Sequence, residues 1–307
     1  MSAFVRCKSA VRKDRGSATL LVMLLATVII SLGIGFDWIV KEHMKATRDL
    51  ELKTEGMLRS YSIMDKLLYM ISVSEFTPKA INSEVVLKPF KSSLLPLDGT
   101  YIKFKDVEVS LQDANGLINI LAPNQEALRN LLKENTKADP DIVLKAWYAW
   151  INPNYHDEDI PSSFYNKYLP RKYLPQYKEE FSLVYGMTKK DYDAIKNYIT
   201  IMPNTGFNPN TAPIPVLMAR LNITKPQAEL IKEYLKNHTI TSDDELQALV
   251  NRKLSLPNYR IYYYPSNAIR IIVLALHHKK PIYKIHADIL KKANLSFPYT
   301  VLYWKEY

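Results

Sequence analysis

Ser17-Ala-Thr-Leu-Leu-Val-Met-Leu-Leu-Ala-Thr-Val-Ile-Ile-Ser-Leu-Gly-Ile-Gly-Phe36 carries no charged side chain across twenty positions. Wound as a helix at about 1.5 Å per residue, it spans roughly 30 Å, the hydrocarbon thickness of a bilayer. Five of the sixteen residues before it are cations (Arg6, Lys8, Arg12, Lys13, Arg15) against one acid, Asp14. That asymmetry predicts a cytoplasmic N-terminus and an exported body, with Trp38 at the interface. No proline interrupts the chain from Ser17 to Thr77. Within that stretch Met57, Tyr61, Met64, Leu68 and Ile71 recur at alternating spacings of four and three, one face of a helix. One long helix is expected, with a membrane half and an amphipathic half packed on its own domain.

Three processing schemes compete for the N-terminal segment. A secretory signal needs small residues at the end of the apolar run; Gly33 and Gly35 supply them, but Ile34 and Phe36 fit poorly. A plain signal anchor leaves the abrupt Arg15-Gly16 junction without a role. A type IV prepilin signal is cut before the apolar run, here between Gly16 and Ser17, so that the helix survives maturation. The single cysteine, Cys7, lies upstream of the apolar run and so cannot be a lipoprotein cysteine. Removal of residues 1–16 leaves no disulfide, and stability must come from core burial or bound metal.

The remaining composition is that of a packed, ordinary surface. Residues 17–307 hold 36 basic and 30 acidic side chains, an excess too mild to indicate nucleic acid by charge alone. Eight glycines against eighteen prolines argue against a glycine-rich enzyme loop scaffold. No Gly-rich phosphate loop, Ser-centred elbow or His-Glu-x-x-His is present, so nothing in the sequence points to an enzyme. His277 and His278, as neighbours on a strand, are expected to face opposite ways.

Residues 101–111 alternate apolar and polar with one slip and read as a strand, followed by a turn at Asp113-Ala114-Asn115-Gly116 and a short apolar run, Leu117–Ile120. Helical patterns follow at 124–135, 139–151, 178–185, 188–201, 213–221 and 224–237. Strand patterns return at Tyr259–Tyr264, Ile269–His277, Ile282–Leu290 and Tyr299–Lys305. A sheet opens, helices intervene and the sheet resumes, which is an α+β host with a helical insertion.

In this order several stretches resemble the minor pseudopilin K family of type II secretion systems. They are Val109-Ser-Leu-Gln-Asp-Ala-Asn-Gly-Leu-Ile-Asn119, Ala146-Trp-Tyr-Ala-Trp-Ile151, Phe181-Ser-Leu-Val-Tyr-Gly-Met187, and Met202-Pro through Asn208-Pro-Asn-Thr-Ala-Pro-Ile-Pro-Val-Leu217. The resemblance implies a pilin-like α+β fold: a long N-terminal helix, an antiparallel sheet and a large α-helical domain inserted between strands. It divides the chain into a prepilin leader (1–16), transmembrane and stem helix (17–73), first part of the pilin-like domain (74–121), inserted helical domain (122–256) and closing strands (257–307). It implies cleavage by prepilin peptidase, methylation, an inner-membrane anchor, and other minor pseudopilins and the major pseudopilin as partners, with no nucleic acid. Partners are expected along the face from Met57 to Ile71 and along the helical domain.

Most pilin-like subunits carry a glutamate at the fifth mature position, paired with a neighbour's α-amine; here that residue is Leu21. A subunit with nothing above it has no such amine to neutralise, so Leu21 fits a filament tip, though it also fits a non-pilin anchor. Ser17 as first mature residue departs from the family's apolar one, and Asn152 stands where an aspartate is expected. The resemblance also implies calcium in the insertion, for which Asp157, Glu158 and Asp159 are the candidate ligands. The spacing is not that of an EF-hand, and a solvated loop is the competing reading. Asn208-Pro-Asn-Thr-Ala with helices 213–221 and 224–237 resembles a DNA-binding helix-hairpin-helix, but its turn, Leu221–Lys225, lacks the glycines that open an amide nest to phosphate. A structural hairpin is expected there. Trp147 and Trp150, three apart on a helix, read as core.

Overall fold

The computed structural model describes residues 15–83, 85, 88, 90, 94–121, 125–155, 170–252, 261–292 and 296–307. The uncharged run opens helix α1, Arg15–Val73, 59 residues long. The chain divides into two units, Met1–Glu55 and Gly56–Tyr307. In the first, side chains from Ser17 to Glu51 are exposed, including every large apolar residue of the run. The hydroxyls inside the run are satisfied locally: Thr27 donates to the Met23 carbonyl and Ser31 to the Thr27 carbonyl, each at 2.8 Å. A hydrocarbon environment demands such internal bonding. Charge returns with the Asp37–Lys41 pair at 2.7 Å.

The second unit is built on five antiparallel strands: β4 (Asp98–Phe104), β5 (Val107–Asp113), β8 (Ala268–His277), β9 (Lys280–Lys291) and β10 (Tyr299–Glu306). Their order is β10-β9-β8-β5-β4. Three short strands, β1 (Glu75–Phe76), β2 (Ala80–Asn82) and β3 (Leu94–Pro96), form a second antiparallel sheet. The expected strand at 101–111 is corrected to a hairpin. Its slip is the Lys105-Asp106 turn, where Phe104 pairs with Val107.

Alternation gives the large sheet two faces. Val107, Val109, Leu111, Ile269, Ile271, Val273, Ile285, Ala287 and Ile289 pack with Met64, Leu67, Leu68, Met70 and Ile71 of α1. Gly56 permits the close approach, since a Cβ there would stand 2.8 Å from the Ile282 Cδ1. The amphipathic half of α1 therefore packs on its own sheet. Expecting partners along Met57–Ile71 is overturned for Met64, Leu68 and Ile71, which are buried; Met57 stays exposed.

Residues between Asp113 and Ala268 leave and return on neighbouring strands, with Asp113 paired to Ile269. They contain β6 (Ile118–Asn119), α2 (Gln125–Asn135), α3 (Pro140–Ile151), α4 (Lys189–Ile195), β7 (Ile199–Thr200), α5 (Ile214–Leu221), α6 (Lys225–Asn237) and α7 (Asp243–Val250). These helices share a second core centred on Trp147, which meets Phe181 edge to face at 5.0 Å and donates to the Ile120 carbonyl. Trp150 is likewise buried and donates to Glu180.

Four local expectations change. The helix at 188–201 ends at Ile195, because the β-branched Ile199-Thr200 pairs in parallel with Ile118-Asn119. The segment 178–185 is a 3₁₀ turn, Lys178–Leu183, held by Glu180, whose carboxylate accepts from the Gln176 and Tyr177 amides. Ile261–Tyr264, the described part of the Tyr259–Tyr264 strand, offers one bridge, Ile261 to Phe207, before Pro265. Helix α7, unforeseen, is announced by Ser242 and Glu245, whose amide donates to the Ser242 hydroxyl.

Candidate functional site: an Asx-stitched joint and a buried charged seam

Two stretches distant in sequence, Gln112–Gly116 and Asn208–Thr211, meet where the sheet gives way to the helices. Asp113 Oδ1 accepts from the Asn115 amide at 3.1 Å, the Ser266 amide at 2.8 Å and the Ser266 hydroxyl at 2.7 Å. Its Oδ2 accepts from the Thr211 hydroxyl at 2.9 Å. Asn115 donates to the Tyr264 carbonyl and the Thr205 hydroxyl and accepts from the Thr205 amide. Asn210 closes a reciprocal pair with the Ile240 backbone, both bonds at 2.9 Å. Asn208 donates to the Pro78 carbonyl. A Cβ on Gly116 would lie 2.6 Å from the Thr211 carbonyl oxygen, so only glycine fits. Burial pushes the Asp113 carboxyl up to about 6, against the four hydrogen bonds it accepts, each of which favours the carboxylate. Two of the four stretches quoted for the resemblance, 109–119 and 202–217, thus meet in one hydrogen-bonded joint.

The hairpin turn between α5 and α6 spends its amides internally. Asn222, left-handed at φ 50°, and Ile223 both donate to the Met218 carbonyl. The Thr224 amide donates to Gln227 Oε1 at 3.0 Å. Ile223 is buried. Three successive amides of this turn, those of Asn222, Ile223 and Thr224, are thus bonded within the chain.

The sheet face under the helices is polar, and sequence reading did not single it out. Arg270 Nε donates to Asp288 Oδ1 at 3.3 Å, and His286 Nε2 meets the same oxygen at 3.2 Å. All three are nearly inaccessible. Arg270 also reaches the Ile199 carbonyl, tying the sheet to the insertion. From the insertion, Lys178 donates to the Lys196 carbonyl at 2.9 Å. Burial, and then Arg270, bring its ammonium down to about 7. Burial likewise lowers the His286 imidazole, against the opposing pull of Asp288. Burial would raise Asp288, but Arg270 and then His286 outweigh it and hold the carboxyl below its usual range. A lone Arg in the apolar run Ala268–Leu276 was the signal available.

Other sequence candidates are placed as follows. Gly16 and Ser17 lie in the first turns of α1, and the Leu21 side chain is exposed. Asp157, Glu158 and Asp159 fall outside the described residues; among the described residues no group of three His, Cys, Asp or Glu side chains could hold a metal. Asn152 caps α3 and its Oδ1 accepts from the Asn154 amide. His277 and His278 do not face apart. His278 and Lys279 form the β8–β9 turn at φ 48° and 66°, bringing the two rings to 4.2 Å.

These features decide the fold: a long apolar-to-amphipathic helix laid on an antiparallel sheet that is interrupted by helices. It is pilin-like. The chain matches a chain of the GspK-GspI-GspJ complex from the enterotoxigenic Escherichia coli type 2 secretion system, with a TM-score of 0.53 and 14% identity. The match covers 85% of this chain and 98% of that one. No protein-family model and no curated protein matches the sequence. Among the described residues, α1 alone is long and apolar enough to cross a membrane.

Proposed function

We propose that this protein is a minor pseudopilin, placed at or near the tip of a type II secretion pseudopilus, where it primes assembly for protein export. The observation that carries this reading is α1. Its exposed first half, with the uncharged run Ser17–Phe36, and its sheet-bound second half form one uninterrupted helix, so a membrane anchor doubles as a filament stem. The likeness to a chain of a pseudopilin complex supports it, as do Leu21 in place of the usual glutamate and the extra bulk of the insertion. On this reading prepilin peptidase cuts between Gly16 and Ser17. The anchor sits in the inner membrane with a cytoplasmic N-terminus, and the partners are other minor pseudopilins and the major one.

The test is intact-mass measurement of the full chain co-expressed with a prepilin peptidase. Loss of residues 1–16 is expected, with Gly16→Leu blocking it. An unprocessed chain, or one cut downstream of Phe36, overturns the proposal.

A further inference from the structure

Beside the charged seam lies a cavity of about 160 Å³. Its walls are Tyr177, Ile201, Met202, Pro203, Leu302 and Tyr303; Lys178, His286 and Asp288 provide its polar groups. Cavities of about 150 Å³ accommodate one benzene ring. Here the wall is apolar and aromatic: Tyr303 meets His286 edge to face at 5.0 Å and Tyr177 at 6.0 Å. The polar groups offer both an acceptor, the Asp288 carboxylate, and a donor, the Lys178 amine. Both hydrogen bonds that Asp288 receives fall on Oδ1. A phenol, which donates and accepts through one oxygen, suits that pairing better than a plain hydrocarbon ring.

The mouth is open to another chain. Tyr177 is 52% and Leu302 44% exposed. β10 is an edge strand, and its register shifts between Val301 and Tyr303, so Leu302 is the extra residue of a bulge that re-aims its side chain. Charges of both signs meet there: Lys178 beside Glu179 and Asp288 in the lining, with Lys284 on the sheet face of His286 and Asp288.

We propose that this cavity is a docking socket for one exposed tyrosine of a partner protein. A buried aromatic anchor ringed by polar contacts is the usual centre of a protein interface. The inference needs only a partner presenting such a side chain and stands apart from the assembly role.

Ligand-observed NMR on the full chain in detergent tests it, with p-cresol as the tyrosine side-chain probe. Saturation transfer to p-cresol is expected, with toluene at least roughly tenfold weaker for want of the hydrogen bonds. Leu302→Trp, on the exposed lip, should fill the socket and abolish the signal without unfolding the chain. N-acetyl-Tyr-amide, the same side chain on a peptide backbone, should bind as well. Equal transfer in wild type and Leu302→Trp overturns the proposal, as does toluene binding as well as p-cresol. Binding of p-cresol without binding of N-acetyl-Tyr-amide would assign the cavity to a free small molecule and overturn the docking role.

Discussion

The two faces of the five-stranded sheet are held by different physics. Against α1 the contact is apolar throughout, from Met64 and Leu67 to Ile271 and Ile285, and it works by exclusion of water and close packing. Against the inserted helices the contact is wired, through Arg270, Asp288, Lys178 and the Asx network of Asp113, Asn115 and Thr211. An apolar face tolerates a change of shape gradually. A wired face fails when one partner is removed, because the other remains buried and unpaired.

That contrast can be broken most forcefully at Arg270. Arg270→Leu should cost about 4 kcal/mol by leaving the buried Asp288 carboxylate uncompensated, while Arg270→Leu with Asp288→Leu should recover most of the loss. Urea unfolding followed by circular dichroism measures both, and a double variant no better than the single one would mean that the pair is not a unit. Next comes Gly116→Ala, expected to cost about 3 kcal/mol because the new methyl meets the backbone carbonyl of Thr211, which cannot swing aside.

The third prediction concerns pH. The folded pKa of Lys178 lies near 7, below its unfolded value, so the unfolded chain binds the additional proton between about pH 7 and 10. Stability from this group is therefore full above the unfolded pKa and is lost as pH falls toward 7. The unfolding free energy of the wild type, from urea titrations, should rise by roughly 2 kcal/mol between pH 7.5 and 9.5, and Lys178→Met should flatten that rise. The smallest effect belongs to the apolar face: Ile271→Val should cost only about 1 kcal/mol, and a larger loss would show that this face is as exacting as the other.

How far the sequence foretold this arrangement depended on distance along the chain. α1 was legible because a long uncharged run and a 3.6-residue period are local facts. The sheet strands from Ile269 onward were legible by alternation, and Trp147 and Trp150 by helical spacing. The β4–β5 hairpin was misread because Lys105-Asp106 disturbs alternation as little as a slip does. Arg270, His286 and Asp288 were invisible as a cluster, since a polar residue at every second strand position normally marks a solvated face. What buries them is Lys178 and Ile199, at least seventy residues earlier in the chain. Likewise Asp113 suggested a turn and Thr211 the lead into a helical hairpin, but only the folded chain shows them bonded to each other.

Because Asp113 and Ile269 are register partners, the point of departure and the point of return of 114–267 stand one interstrand spacing apart, about 5 Å. The insertion is thus topologically removable: a two-residue linker could splice β5 directly to β8 and leave an ordinary meander. In that shortened protein Arg270, His286 and Asp288 would face water, where charge costs little, and the demand for mutual pairing would vanish. The seam is a liability created by the insertion that covers it, and trimming that insertion would dissolve it without touching a strand of the large sheet.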